Sequence, residues 1–464
     1  MEIKNKIIDK TIKRNLKVYK KIRRIYDITK LTNDKYDKKI FKEENEKLKK
    51  KHEKTFDLSN KPDLNIILVT VDCLRNDHLS CKGYYRETTP FLDELKSFKS
   101  TLIASAPWTY PSISSVLTGF YPHNHHAIMD GKIKKFDVNN LKPLRNNVLT
   151  LSEILGLFEY STYLYSTIDM ASIRIKDRFE SSKLFSFQDG NSVLNEIKKW
   201  IMKQNNHFFV HAHITDLHEP IDLKGKYANV FGEVEKLKDI QQWNYQKPEK
   251  QIGKEFEEYK LNKILLYDNK LRETDYILNN FYRFLEKNGL IDNSIIIFTA
   301  DHGEEFWDHN DLEKKYFYDV RGYAGIGHGH SVFNELLKVP LFIFGPKIIN
   351  RNNRKLVSSV DLVPSILHLL DIDNNILFDG KDLFDSGFHK RMILSENTIH
   401  GYEKKSIITK NFKFIQSLDD NVNWLFNLKS DSKEKIPISD EKMNALFSEK
   451  LKHITNKKNT LWRL

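Results

Sequence analysis

The chain has 464 residues, of which 40% are hydrophobic and 12% aromatic, with a formal net charge of +12. This length allows a large core, and the absence of any run of 18 or more apolar residues predicts that no transmembrane helix is present. The N-terminus lacks an apolar segment of the kind found in secretory signals, and Cys73 and Cys81 are too few for a disulfide framework. We therefore expect a cytoplasmic protein.

The positive charge is concentrated at the start of the chain. Residues 1–56 contain 20 Lys and Arg against 9 Asp and Glu, a net charge of +11, whereas the remainder contains 55 against 54. The basic character belongs to an N-terminal extension, and we expect no nucleic-acid groove on the main body.

We assign residues 1–63 to a basic helical extension and linker. Within residues 1–31, apolar side chains recur at helical spacing among Lys and Arg, which indicates a basic amphipathic helix. Such a helix could place the protein peripherally at an anionic membrane surface or bind a protein partner. The alternative is a solvated helix folded against the body.

Four apolar runs predict strands of a mainly parallel sheet, buried on both faces. They are Asn65–Val71, His207–Ile214, Ser294–Ala300 and Val339–Phe344. Helical patterns lie between them, for example over 262–287, so that the alternation predicts an α/β fold with helices on both faces. In such sheets the functional site lies at the carboxyl ends of the strands.

The stretch 102–119 reads as a strand end, a turn and a helix. Pro111 suits the first turn of a helix, and Gly119 suits its end. Thr109 would then lie just before the helix N-terminus, where free N–H groups favour an anion. It is either a nucleophile held as an alkoxide or simply the cap of the helix.

The rest of the chain divides into a catalytic domain over 64–385 and a C-terminal subdomain over 386–464. Residues 305–330 form a long loop rich in acidic, aromatic and histidine side chains, and loops of this kind are usually functional. Residues 356–371 indicate a helical region. Alternating apolar and polar residues over 390–430 predict a small antiparallel sheet, and 441–454 a closing helix.

Polar side chains at the ends of separate strands suggest one metal site. Asp72 and Asp301 would supply carboxylate oxygens and His302 an imidazole nitrogen, while Thr109 would bind as alkoxide and attack the substrate. Mixed oxygen and nitrogen ligands suit zinc or manganese, and magnesium and calcium are also compatible.

His218 and His328 flank predicted strands on the same side as this metal site. Each could contact substrate oxygens, protonate the leaving group or bind a second metal. His330, Asp216 and His309 are weaker candidates of the same kind, and Glu304 could either support the metal ligands from behind or contact the leaving group. Any single histidine of this kind is more often structural than catalytic.

Several of these segments resemble motifs of the sulfatase family, which belongs to the alkaline phosphatase superfamily. Val71–Tyr84 with Arg86–Pro90 resembles the opening motif, and Thr109–Ser112 resembles the nucleophile motif. Phe298–Glu304 is similar to the second metal motif and Gly327–His330 to the later histidine motif. Further similar landmarks are Leu117–Gly119, Leu337–Leu341, Asp361–Leu367, Asp379–Leu383 and Trp424–Leu428.

The resemblance covers roughly residues 64–450. It implies an alkaline-phosphatase-like domain with a large mixed central sheet flanked by helices, followed by a small antiparallel sheet near the C-terminus. It also implies hydrolysis or transfer of a sulfate or phosphate ester through a covalent enzyme intermediate.

Departures from the family pattern concern the chemistry. A true sulfatase has Cys or Ser, matured to formylglycine, at the position of Thr109, and Arg at the position of Ile113. The second aspartate of the opening motif is Cys73 here, and a Gly-Lys-Trp-His motif is missing around Tyr160–Met170. A threonine nucleophile resembles the phosphotransferase and phosphodiesterase branches, whose members are usually membrane-anchored.

These features lead to three hypotheses about function. The first is a metal-dependent hydrolase or transferase of phosphate esters, in particular phosphodiesters, working through Thr109. The second is a sulfatase that acts on sulfate esters without formylglycine. The third is a non-catalytic binding module recruited by the N-terminal helix.

Overall fold

A computed structural model describes most of the chain. The described residues are 46–47, 50–52, 55–59, 61–167, 175–185, 190–223, 225–234, 240, 244–353, 355–385 and 391–456. The described residues from His52 onward form one compact unit. The predicted helix over 1–31 lies outside the described residues.

The strands are short, and several are buried along their whole length. In chain order they are β1 (Asn65–Val71), β2 (Phe98–Ile103), β3 (Ser161–Ser166), β4 (Ser181–Leu184), β5 (Phe208–Ile214), β6 (Ser294–Thr299), β7 (Glu305–Phe306), β8 (Ile326–Gly327), β9 (Lys338–Phe344), β10 (Arg351–Asn352), β11 (Val357–Ser358), β12 (Ile393–Ser395), β13 (Lys405–Ile408), β14 (Phe412–Ser417) and β15 (Val422–Asn427).

The α-helices connect and flank these strands. In chain order they are α1 (Pro90–Glu94), α2 (Thr109–Thr118), α3 (Pro122–His125), α4 (Leu151–Leu157), α5 (Gly190–Ile201), α6 (Gly253–Lys287), α7 (Asn310–Tyr316), α8 (Asn334–Leu337), α9 (Leu362–Leu369) and α10 (Glu441–Asn456).

The main sheet has nine strands in the described part of the chain, in the order β10-β2-β9-β6-β1-β5-β3-β4, with β11 also paired to β2. Strand β1 pairs in parallel with β5 and β6, whereas β9 is antiparallel to β6 and β2. The carboxyl ends of the parallel strands and the amino end of β9 therefore meet at one edge.

The central strands are where the apolar runs predicted them. All residues of β1, β5 and β6 are buried, as expected for strands covered on both faces. The sheet contains parallel and antiparallel strands and is flanked by helices, so the fold is α/β, in agreement with the predicted fold class.

The C-terminal antiparallel sheet is also confirmed, in the order β12-β13-β14-β15. One set of its side chains, including Ile408 and Phe426, shares a core with Ile103 and Phe333 of the main domain. Another set packs against Phe447 and neighbouring residues of helix α10. The small sheet is thus anchored to the main sheet by apolar burial.

Three local predictions need correction. The helix expected over 262–287 begins nine residues earlier, at Gly253. The segment 305–330 is not a structureless loop, because it contains the hairpin of β7 and β8 and the helix α7. The region 356–371 is strand β11, a 3-10 turn and helix α9 rather than one helix.

Candidate active site

The side chains predicted to form the site lie at one edge of the main sheet. Asp72 directly follows β1, Asp301 and His302 follow β6, and His218 lies four residues beyond β5. Because β9 runs in the opposite direction, the segment that leads into it brings His328 to the same edge. The topology therefore gathers residues that are far apart in sequence.

Thr109 is the first residue of helix α2 rather than the residue before it. Trp108 takes the position before the helix, in extended conformation. Thr109 is 2% exposed, and its Oγ1 lies 3.2 Å from Nε2 of His302. The hydroxyl of Ser112 donates to the carbonyl oxygen of Asp301 at 2.6 Å, which ties the start of the helix to the end of β6.

His302 lies between the two aspartates. The N–H at Nδ1 donates to the carbonyl oxygen of Gly303 at 2.8 Å, so the lone pair of the neutral ring is on Nε2. Nε2 lies 3.3 Å from Oδ1 of Asp72 and 3.4 Å from Oδ2 of Asp301. A backbone acceptor that orients an imidazole in this way is typical of metal-binding histidines.

His213 is a further member of this cluster, which the sequence analysis missed. Its Nε2 lies 3.7 Å from Oδ2 of Asp72. Oγ1 of Thr70 lies 2.8 Å from Nδ1 of His213, 3.0 Å from Nε2 of His211 and 3.3 Å from the carbonyl oxygen of Ala212. In the tautomer that carries its proton on Nδ1, the lone pair of the neutral His213 ring is on Nε2. A histidine within the otherwise apolar run Phe208–Ile214 was the signal available in the sequence.

The donor set fits a divalent cation. Oδ2 of Asp72, Oδ2 of Asp301 and Nε2 of His213 are buried and have no hydrogen-bond partner within the described part of the chain. Ligand atoms of these three residues lie within 4.8 Å of one another. Buried polar atoms are normally paired, and carboxylate oxygens with imidazole nitrogen suit zinc or manganese.

The two buried carboxylates also affect each other's ionisation. Burial raises the pKa of Asp301 to about 6, and the negative charge of Asp72 contributes in the same direction. Burial also acts to raise the pKa of Asp72, but contact with His213 and the nearby His218 and His302 outweigh it and hold this pKa well below its ordinary value. A cation placed between the two carboxylates would relieve their repulsion.

A second cluster lies beside the first and contains Cys73, His218, His328 and Glu304. The rings of His218 and His328 are 5.1 Å apart, and those of His302 and His328 are 4.4 Å apart. Nδ1 of His328 lies 3.1 Å from Oε1 of Glu304. Burial and the negative charge of Asp72 raise the pKa of the Cys73 thiol well above its ordinary value.

Three of the weaker candidates lie elsewhere. Asp216 accepts from the backbone N–H of Gly190 at 3.1 Å and lies 3.5 Å from Nζ of Lys270. His309 and His330 pair with buried glutamates in a separate network: Glu335 faces His309, and Glu305 and Glu313 face His330. None of these contacts involves the residues of the candidate site.

The chain belongs to the sulfatase family, because residues 64–372 match the model described as Sulfatase. Members of this family are hydrolases that act on sulfate or phosphate esters.

Among curated proteins, an arylsulfatase of Clostridium perfringens is 22% identical over 444 residues, a match that covers 80% of this chain and 89% of that protein. Lipoteichoic acid synthase of Staphylococcus aureus is 29% identical over 150 residues, which is 32% of this chain and 21% of that protein.

Among solved structures, the phosphonate monoester hydrolase of Agrobacterium radiobacter superposes with a TM-score of 0.63 at 16% sequence identity. The match covers 84% of this chain and 94% of that chain. This likeness shows that the two proteins share a fold.

Within the described residues, the helices are all too short or too polar to cross a membrane.

Proposed function

We propose that this protein is a metal-dependent hydrolase or transferase of phosphate esters, with phosphodiesters as the preferred class, and that Thr109 is its nucleophile. The observation that carries the proposal is the position of the Thr109 hydroxyl, 3.2 Å from Nε2 of His302 at the edge of a cluster of buried, unpaired carboxylate and imidazole atoms. These site residues lie within 64–385, which we propose is the catalytic domain.

Asp72, Asp301, His302 and Thr109 would hold the cation, and His213 is a further proposed ligand. When bound, a divalent cation lowers the pKa of a coordinated hydroxyl and neutralises charge on the phosphoryl oxygens. Zinc or manganese matches the mixture of oxygen and nitrogen ligands best.

In the first half of the reaction, Oγ1 of Thr109 forms a bond to phosphorus and its proton leaves to solvent. The bond from phosphorus to the leaving oxygen breaks, and that oxygen needs either a proton or a cation, which His218 and His328 would supply or hold. In the second half, water or an acceptor hydroxyl attacks phosphorus and releases the threonine, which regains a proton.

Position in the helix helps Thr109 in this role. The backbone N–H groups at the start of α2 carry partial positive charge. A phosphoryl group attached to Thr109 would lie beside them, and this kind of environment favours anions. Burial of Thr109 also limits competing attack by water.

A direct experiment compares turnover of an aryl phosphate monoester, a phosphate diester and an aryl sulfate, with manganese or zinc added. We expect diester turnover in the wild type and a loss of at least about a thousandfold in Thr109→Ala, the scale seen when a nucleophile is removed. Thr118→Ala is the matched control, because Thr118 is also buried in α2 but its hydroxyl donates to the carbonyl oxygen of Ser114 at 2.7 Å. Equal turnover in Thr109→Ala and the wild type would refute the assignment of the nucleophile.

The second candidate function is sulfate-ester hydrolysis without formylglycine. The match to the C. perfringens arylsulfatase over 80% of this chain favours it. Preferential turnover of the aryl sulfate, lost in Thr109→Ala, would select this function over the first.

We also propose that residues 1–31 recruit the protein to an anionic membrane or a protein partner, because of their charge and apolar spacing. Deletion of residues 1–56 should abolish co-sedimentation with anionic vesicles and leave turnover of a small substrate unchanged. If vesicle binding survives the deletion, the extension is not the membrane-binding element.

A further inference from the structure

We propose that a groove between the main sheet and the C-terminal sheet binds an anionic amphiphile, a molecule with an acidic headgroup on an apolar body, as in a lipid. The groove has a volume of about 1090 Å³, which is at the upper end for small-molecule sites. The residues that line it include none of the candidate active site. This inference goes beyond the proposed function and does not depend on metal binding.

The charge of this groove has one sign. Among the described residues that line it, six are basic and none is acidic. The basic residues are Lys82, Lys338, Lys355, Arg391, Lys410 and Lys450. The chain after residue 56 contains 55 basic and 54 acidic residues, so a groove of average composition would contain carboxylates as well. A cleft lined by charges of one sign concentrates ions of the opposite sign.

Most of these cations are available to a ligand. Lys82, Lys338, Lys410 and Lys450 line the groove without an ion pair to any other described residue. Lys338 and Lys450 are also half-buried, so that solvent and salt would screen an anion beside them less than at an exposed lysine. Like charges gathered in this way repel one another, and an anionic ligand would relieve that repulsion.

The floor of the groove is apolar. Ile103 and Leu356 belong to the core that joins the small sheet to the main sheet. Met392, Phe412 and Phe447 belong to the core shared with helix α10. Both cores therefore reach the groove, and their side chains offer an apolar surface beneath the cations.

The depth of the floor selects a single molecule that enters the groove. Ile103 is 1% exposed and Phe447 is 5% exposed, so a flat bilayer surface would not reach them. The chain's own ends do not suit the groove, because residues 1–56 have a net charge of +11 and residues 457–464 contain basic but no acidic side chains. An apolar body over the floor and an acidic group among the lysines would match both surfaces at once.

The experiment measures the binding of short-chain lipids by calorimetry, at concentrations at which these lipids remain monomeric. The full chain is stripped with a chelator, so that neither lipid is turned over. We expect dihexanoyl phosphatidylglycerol, which is anionic, to bind with one equivalent and at least about tenfold more tightly than dihexanoyl phosphatidylcholine, which has the same chains but a zwitterionic headgroup. Added salt should weaken binding of the anionic lipid more than that of the zwitterionic lipid.

Variants locate the binding in the groove. Lys410→Glu combined with Lys450→Glu should weaken binding of the anionic lipid at least about tenfold. The matched control is Lys429→Glu combined with Lys452→Glu, which makes the same change of charge in the same subdomain at exposed residues outside the groove and should bind as the wild type does. Met392→Gln should weaken both lipids, because it replaces part of the apolar floor. Circular dichroism verifies that each variant is folded.

Absence of binding, or equal binding of the two lipids, would overturn recognition of an anionic amphiphile. Equal losses in the groove variant and in its control would show that net charge alone attracts the lipid, which would also overturn the proposal. Sodium tripolyphosphate tests the need for an apolar body: if it bound as tightly as the anionic lipid, and Met392→Gln left lipid binding unchanged, the groove would be a polyanion site instead. Each of these failures leaves the proposed metal-dependent function standing, because neither metal nor turnover is measured.

Discussion

Asp301→Asn should stabilise the metal-free protein and abolish its stabilisation by metal. Without a cation, Asp301 and Asp72 are two buried carboxylates that repel each other, and removal of one charge should stabilise the fold. With a cation, the same charge is a ligand, and its removal should eliminate stabilisation by metal. The variant can keep the hydrogen bond that Oδ1 accepts from the backbone N–H of His302 at 2.9 Å.

The magnitude follows from the pKa of Asp301, which burial and Asp72 raise from 3.8 to about 6. Because the pKa in the folded state exceeds that in the unfolded state, ionisation of Asp301 destabilises the fold. This penalty is absent below pH 3.8, grows between pH 3.8 and about pH 6, and is complete at higher pH. The difference between the two pKa values corresponds to about 3 kcal/mol, which is the expected increase in the free energy of unfolding of the metal-free variant near neutral pH.

The assay is urea unfolding of chelator-treated protein near pH 7.5 and near pH 5, with and without manganese or zinc. At a cation concentration of 100 times Kd, the wild type should gain about 2.7 kcal/mol. The variant should gain nothing from the cation, and its higher free energy of unfolding without metal should shrink to about 1.6 kcal/mol near pH 5.

Asp216→Asn is the matched control, because Asp216 is equally buried near the end of β5 but lies 3.5 Å from Nζ of Lys270. It should retain the stabilisation by the cation. The reasoning would be wrong if Asp301→Asn lowered the stability of the metal-free protein, or if the cation still stabilised this variant.

Three other predictions follow from described contacts. His213→Gln should weaken cation binding at least about tenfold, whereas His211→Gln, in the same strand and also beside Thr70, should not, as measured by equilibrium dialysis. His309→Gln should lower the free energy of unfolding by about 3 kcal/mol near pH 6 and by much less above pH 9. Burial lowers the pKa of His309 but Glu335 raises it more, to about 9, so the stabilisation by the charged ring disappears as pH rises through that value. Unfolding measured at both pH values tests this. Lys413→Met should lower the free energy of unfolding by about 3–5 kcal/mol, since Nζ lies 2.7 Å from the fully buried carboxylate of Glu434, which would be left unpaired. In the same unfolding assay, the double variant with Glu434→Gln should recover most of this loss.

The sequence predicted those parts of the fold in which one physical effect dominates. The run Asn65–Val71 is uniformly apolar, and its strand has the predicted bounds. The start of α6 was missed because residues 253–261 contain few apolar side chains, with Phe256 and Tyr259 on the buried side. A helix held by so small an apolar face gives a weak periodic signal.

The candidate site was predicted in part for a different reason. The strand pattern identifies Asp72 and Asp301, because each directly follows a predicted strand and the functional site of such a sheet lies at the carboxyl ends of its strands. The role of His213 depends on which strands are neighbours: it faces Thr70 in the pairing of β1 with β5. His328 and His330 are two residues apart and contact different carboxylates, which spacing alone does not reveal.

The hairpin of β7 and β8 has a consequence for how this protein could acquire new substrates. Glu305 pairs with Gly327 and Phe306 with Ile326, so the intervening segment begins and ends at one fixed point. Glu304 and His328 lie immediately outside this closure, at the candidate site. Asp308, His309 and Glu313 are held by ion pairs with Arg75, Glu335 and His330. The exposed residues 314–316 form no ion pair with described residues outside this segment, so they can be exchanged while the groups of the candidate site keep their separation.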